Sequence, residues 1–536
     1  MFRATASTVA LGTLIGVMSG GCLSRPVTSQ QPTIKDNFTT SLRQSSIDKV
    51  DILFDIDNSA SMGDKEIFLS KAVPDFLTRL IAPYCVDDQG KTLTDGSGKI
   101  LTSDKNGTCT QGQPEFKPVH DMHIGVVTSS LGPRGVSGGG AICTDQTGFQ
   151  NNDRGELITR GASGTVADIS SSNFLAWFPS DVDANSGKAP TPGSNPIGDS
   201  AKLNADFADL VVGVGQNGCG IESQLESWYR FLVQPDPYDH IDTSSGNAAL
   251  VGVDETIIKQ RHDFLRPDSL VAIIDLTDEN DSEIDTRSVS GTGWRFLDND
   301  SKDFTPPRGT SMCDTNPDDP ACTSCAFNGS DPKCTQGNYS KDNDWGFDIN
   351  LRHVHMKAKY GVDPQFPIDR YFDGLTKTSV PDRNGEYPPG AGSYVGQANC
   401  NNPLYAASLP ADASDANALC NAPHGARTPD LVFFGIIGGV PWQLLHYDPA
   451  NPASIDLSPA DWTKILGANP EHYDYTGIDP HMVESYKPRD GLSATGTDPI
   501  NGREWITDTA GVSINDGGKM PFAVDREYAC TFKLDT

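Results

Sequence analysis

Four short apolar runs stand out from long polar stretches rich in Gly, Pro, Asn and Asp. Val50-Asp51-Ile52-Leu53-Phe54-Asp55-Ile56 is mostly apolar and bounded by polar residues, which predicts a buried strand. Met122 to Thr128, Leu270 to Leu276 and Leu431 to Ile437 read the same way. Helical spacing appears from Lys65 to Ile81, where Ile67, Phe68, Ala72, Val73, Phe76, Leu77, Leu80 and Ile81 recur every three or four positions. A second helix is expected from Ile221 to Leu232. Strands alternating with helices predict an α/β fold: a doubly wound, mainly parallel sheet flanked by helices on both faces, Rossmann-like in outline. So few strands among so much polar chain indicate one core over residues 48–460, with insertions at about 84–118, 132–200 and 285–428. Residues 461–536 then form an extension packed on the same domain.

The N-terminus follows another pattern. Arg3 precedes an uncharged apolar run from Val9 to Met18, then Ser19, Gly20, Gly21 and Cys22. The run is too short to span a bilayer and is followed by small residues, as in a secretory signal. Ser19-Gly20-Gly21-Cys22 resembles a lipobox, in which the Cys thiol is lipidated, although Ser19 stands where Leu is usual; cleavage without lipidation is the alternative. Residues 23–47 are polar and aperiodic, as a tether would be. The expectation is an exported, lipid-anchored envelope protein. Leu23 in place of Asp after Cys22 points to the outer membrane, facing the periplasm or the cell surface.

Charge and cysteine content refine this picture. Lys and Arg number 41 against 71 Asp and Glu, a net charge of -30, which argues against a nucleic-acid partner and for a solvated surface that attracts cations or basic partners, solubility accounting for most of it. Of the twelve Cys, lipidation of Cys22 leaves eleven, enough for disulfides in an oxidising compartment with one thiol over. Cys313, Cys322, Cys325 and Cys334 form a cluster whose Cys322-Thr323-Ser324-Cys325 spacing also suits zinc, but export favours disulfides, with Cys400 and Cys420 bracing a second loop. The acidic runs Asp278 to Asp285 and Asp298 to Asp303 lack EF-hand spacing and read as a solvated face. Gly213 to Gly218, with Asp236 further on, fits a dinucleotide fingerprint, yet an exported protein meets little NAD. No metalloprotease, nucleophile-elbow or Walker motif is present, so no enzyme is predicted. His353 and His355, expected on a strand or turn, receive no role.

The turn from Asp57 to Gly63, between the first strand and the first helix, carries the chemistry. Ligands in open α/β sheets bind at such carboxyl ends of strands. Asp57, Ser59 and Ser61 alternate, so a carboxylate and two hydroxyls can converge as hard oxygen ligands for magnesium. The same residue types also cap helix N-termini without any metal. On the residues alone, both readings stand.

Phe54-Asp55-Ile56-Asp57-Asn58-Ser59-Ala60-Ser61-Met62 resembles the first metal loop of von Willebrand factor type A domains, with its Asp-x-Ser-x-Ser pattern. Ile273-Ile274-Asp275-Leu276-Thr277-Asp278-Glu279 is similar to the third loop and implies Asp278 as a water-mediated ligand. The second loop departs from the pattern. Cys219 stands at the position of the usual Thr in Gly218-Cys219-Gly220-Ile221-Glu222, leaving Glu222 as the oxygen donor to replace it. His262 to Asp268, Arg370 to Leu375 and Gly438-Gly439-Val440-Pro441 further resemble surface lipoproteins of myxobacterial type that carry such a domain. The resemblance implies a divalent cation, Mg2+ first and Ca2+ or Mn2+ as alternatives, and a protein partner that offers an acidic side chain. An adhesion or protein-binding role is therefore expected. An extracellular hydrolase with its site in the insertions, or a passive structural envelope component, are the alternatives.

Overall fold

The computed structural model describes residues 49–136, 149–298, 306–339, 353–438 and 457–479, together with Cys143, Leu444 and Met482. The chain divides into two units, Met1–Ser45 and Ser46–Thr536. The first unit, which contains the expected signal, Cys22 and most of the expected tether, lies outside the described residues, as do Gly439 to Pro441, most of Asp298 to Asp303 and most of the expected C-terminal extension.

A six-stranded sheet forms the core. Its strands are β1 (Val50–Ile56), β2 (Met122–Thr128), β3 (Leu175–Trp177), β4 (Pro196–Ile197), β5 (Leu270–Leu276) and β6 (Val432–Ile437), in the order β6-β5-β1-β2-β3-β4. Only the β2–β3 pairing is antiparallel; the other four are parallel. The expectation of a mainly parallel sheet holds, and β1, β2 and β5 occupy the spans their apolar runs predict.

The period of two along each strand sends alternate residues to opposite layers. Ile52, Phe54 and Ile56 meet Met62 and Leu77 of the β1–α1 connection and α1 (Gly63–Ile81), and Phe207, Leu210 and Val211 of α2 (Ser200–Val214). Leu53, Val127 and Ile273 point the other way, towards Trp228 and Phe231 of α3 (Gln224–Leu232) and Ile257 and Phe264 of α4 (Glu255–Phe264). Helices on both faces are why every residue of β1 and β2 is buried. The predicted helix from Ile221 begins three residues late, at Gln224, because Gly218 to Ser223 are used in loop packing. Asp254 caps α4 by accepting from the N–H groups of Thr256 and Ile257.

Five disulfides staple the loops: Cys85–Cys109, Cys143–Cys219, Cys313–Cys322, Cys325–Cys334 and Cys400–Cys420. The zinc alternative for Cys322 and Cys325 is thereby excluded, since each pairs outward rather than with a shared ion. Cys22 and Cys530 lie outside the described residues. The loop closed by Cys85 and Cys109 is built from three similar turns, in which Asp87, Asp95 and Asp104 each accept from N–H groups two and four residues on. Further along, α5 (Ile368–Thr376) packs Tyr371 into the layer around Trp228. His353 and His355 lie in an α-helix, His353–Tyr360, not on a strand or turn.

Candidate functional site

The site is built where β1 and β5 end side by side. Asp57 N–H donates to the Leu276 carbonyl at 2.9 Å, so the strand pairing fixes the first residue of the loop. The Asp57 side chain is wholly buried. One carboxylate oxygen accepts from Ser59 N–H at 2.9 Å and Ser129 Oγ at 3.2 Å, and the other from Thr277 Oγ1 at 2.9 Å. Burial pushes its pKa up, and these donors hold it back by stabilising the ionised form.

Ser59 and Ser61 do not cap a helix. The Ser59 side chain makes no capping bond, and the α1 N-cap is Met62, also without one. Instead Ser59 Oγ and Ser61 Oγ lie 3.1 Å apart, and Ser61 Oγ donates to Asp278 Oδ1 at 2.9 Å. Ser61 is exposed, so the cluster opens to solvent there, above the buried Asp57. The second oxygen of Asp278 faces Lys65 Nζ at 3.0 Å, and the same ammonium donates to the Ser61 carbonyl at 2.7 Å. The structure thus brings Asp57, Ser59, Ser61 and Asp278 together. All donors are oxygens, the set a hard divalent cation requires.

The second loop acts as a brace. Gly218 N–H donates to the Asn58 carbonyl at 2.8 Å, and a Cβ at Gly218 would stand 2.1 Å from Asn58 Oδ1, so only glycine fits. Ser130 Oγ donates to Asn58 Oδ1 at 2.7 Å and accepts from Cys219 N–H at 2.8 Å. Cys219 itself is in a disulfide with Cys143. Glu222 is buried and accepts from Ser282, through its carbonyl at 2.7 Å and Oε2 at 3.2 Å.

Sequence reasoning missed Ser129, Ser130, Thr277, Gln224 and Lys65. The two serines directly follow β2, the neighbour of β1, and the rule that ligands gather at strand carboxyl ends could have found them. Gln224 Nε2 donates to Thr277 Oγ1 at 2.6 Å, so the start of α3 supports the hydroxyl that holds Asp57.

The dinucleotide reading, set aside on the sequence, finds no support in the structure, and one expectation is corrected. Gly213 and Val214 end α2 and Gly215 to Gly218 follow that helix rather than a strand, so the stretch lacks the strand-turn-helix of a dinucleotide site, and Asp236 is engaged with Arg383 Nε at 2.7 Å. The acidic run after Asp278 is not a solvated face: Glu283 and Asp285 are buried, Glu283 2.7 Å from Arg134 Nη2 and Asp285 2.5 Å from the Tyr387 hydroxyl. The run is neutralised from within because it lies between α3 and the following insertion. Among the described residues, the one group of three or more acidic, Cys or His side chains close enough to share an ion is Asp382, Cys400 and Cys420, whose two sulfurs are bonded to each other.

Compared with known proteins, the chain matches no family model, no curated protein and no solved structure.

Proposed function

We propose that this chain is a von Willebrand factor type A-like protein of the cell envelope that holds a divalent cation at Asp57, Ser59, Ser61 and Asp278 and binds an acidic side chain of a protein partner through it. The observation that carries this reading is the bond from Ser61 Oγ to Asp278 Oδ1, which joins loops 217 residues apart into one oxygen cluster at a solvent-facing mouth. A helix cap would have turned the serine hydroxyls towards backbone N–H groups, and they are not so turned.

The residues fit such an ion. Asp57 supplies the buried negative charge, and Thr277 and Ser129 orient its carboxylate as outer partners orient metal ligands. Ser59 and Ser61 offer neutral oxygens, and Asp278 lies at the rim, where a water can stand between it and the ion. When bound, the cation offers an open coordination position to a carboxylate from outside. Mg2+ suits a site with few protein charges, with Ca2+ or Mn2+ as the alternatives. Binding, rather than catalysis, is the role this donor set supports.

Export agrees with five disulfides, which persist in oxidising compartments. A lipid anchor at Cys22 and an outer-membrane location follow from the N-terminal pattern. The test is calorimetric titration of Mg2+, Ca2+ and Mn2+ into metal-stripped full-length protein beside an Asp57→Ala, Ser59→Ala double variant. The variant should lose an ion that the wild type binds; equal stoichiometry and affinity in both would sink the reading.

A further inference from the structure

Two carboxylates lie in the core directly inward of the loop. Asp55 and Asp275 are register partners on β1 and β5, two residues before Asp57 and Thr277, on the sheet face covered by α3. They are 0 % and 2 % exposed. Neither oxygen of Asp55 has a hydrogen-bond partner, nor does Asp275 Oδ1. The amide of Gln224, 1 % exposed, is held over the same strand by its bond to Thr277, and its Oε1 is likewise buried without a donor.

Such an arrangement is costly. An unpaired buried carboxylate loses several kcal/mol of hydration, and here two stand side by side with no Arg or Lys among their hydrogen-bond partners. Asp57 and Asp281 add to the negative potential around them. Other buried acids are matched, Asp51 with Arg266, Glu226 with Arg370 and Glu283 with Arg134, while Glu66 and Asp206 each leave one oxygen unpaired; among the described residues Asp55 is the acid with both oxygens buried and unpaired. Four unsatisfied oxygens from three side chains, all acceptors, lack a positive partner of a kind the protein does not provide. Two carboxylates balance the charge of one divalent cation, and a carboxyamide oxygen completes a set typical of hard ions.

We propose that Asp55 and Asp275, with Gln224 Oε1, hold a second divalent cation beneath the Asp57 loop. It is a separate site from the outer one and stands on separate side chains. Thr277 Oγ1, which donates to Asp57 and accepts from Gln224 Nε2, links the two sites.

The experiment is Mn2+ titration of metal-stripped full-length protein, read by calorimetric stoichiometry and by electron paramagnetic resonance, which detects two nearby Mn2+ ions through their spin coupling. Wild type should bind two ions with a coupled signal. An Asp55→Val, Asp275→Val variant removes the buried charge without removing volume and should fold, melt no lower than wild type and bind one uncoupled ion. Asp57→Ala, Ser59→Ala should lose the other ion instead. If wild type binds one ion that the valine variant keeps and the Asp57 variant loses, there is no inner site and the outer one stands. If the single ion is lost only with the valine pair, the inner site stands and the outer one falls; no bound ion overturns both. Should the valine variant fail to fold, Asp55→Asn, Asp275→Asn replaces it, and two coupled ions in that variant refute the inner site.

Discussion

Lys65 Nζ lies 3.0 Å from Asp278 Oδ2 while Ser61 Oγ holds the other oxygen of the same carboxylate at 2.9 Å. The lysine is one turn into α1, so the helix that follows the loop supplies an ammonium to its rim. A divalent cation entering this cluster competes with that ammonium for Asp278. Lys65→Met should raise cation affinity about two- to fivefold, the range a part-exposed ion pair can supply. Calorimetry checks it, and unchanged or weaker binding would show that Lys65 is no competitor.

Cys143–Cys219 closes 76 residues of chain next to Gly218, which touches Asn58. Replacing both cysteines with serine should lower stability by about 2–4 kcal/mol in denaturant unfolding. It should also weaken cation binding, because the brace on the Asp57 loop is loosened. Loss of stability with full cation affinity would confine the disulfide to a role in folding.

Glu66 faces the core from α1, with Oε1 buried and unpaired, and burial, reinforced by Asp57, pushes its pKa to about 8 from an ordinary 4.5. The folded state therefore holds a proton that the unfolded chain releases first, and stability falls as pH rises between those values. Glu66→Gln cannot lose that proton. Its stability relative to wild type should be level below pH 4.5, climb by up to about 1.4 kcal/mol per pH unit, and level off above pH 8. Unfolding measured across this range gives the slope, and a pH-independent difference would rule the assignment out.

Arg370 is buried between Glu226 and Glu386, 2.8 Å from the latter's Oε1, with its guanidinium 3.8 Å from the Tyr229 ring centre. Arg370→Met should cost about 3–5 kcal/mol, since two acids are left without their cation. Adding Glu226→Gln should return part of that loss. If the second change returns nothing, packing rather than charge explains the damage.

The backbone of the fold was legible in particular runs. Val50–Ile56, Met122–Thr128 and Leu270–Leu276 are strands over the spans their apolar patterns predict, because a strand buried on both faces must be apolar nearly throughout. Leu175–Trp177 and Pro196–Ile197 lie hidden inside a predicted insertion, since three and two residues give no periodic signal. Asp55 and Asp275 sit within apolar strand patterns, and only their pairing reveals two acids side by side.

The sequence by itself determined the parallel α/β core and the Asp-x-Ser-x-Ser loop at the end of its first strand, because hydrophobic period and turn chemistry are local properties. Tertiary structure decided which oxygens meet. Thr277 reaches Asp57 across 220 positions and Ser61 reaches Asp278 across 217, distances over which the chain carries no local signal. Parallel pairing of β1 with β5 puts both loops at one edge of the sheet, and that register, set by burial of Leu53 and Ile273 on the same face, turns separate polar residues into one site.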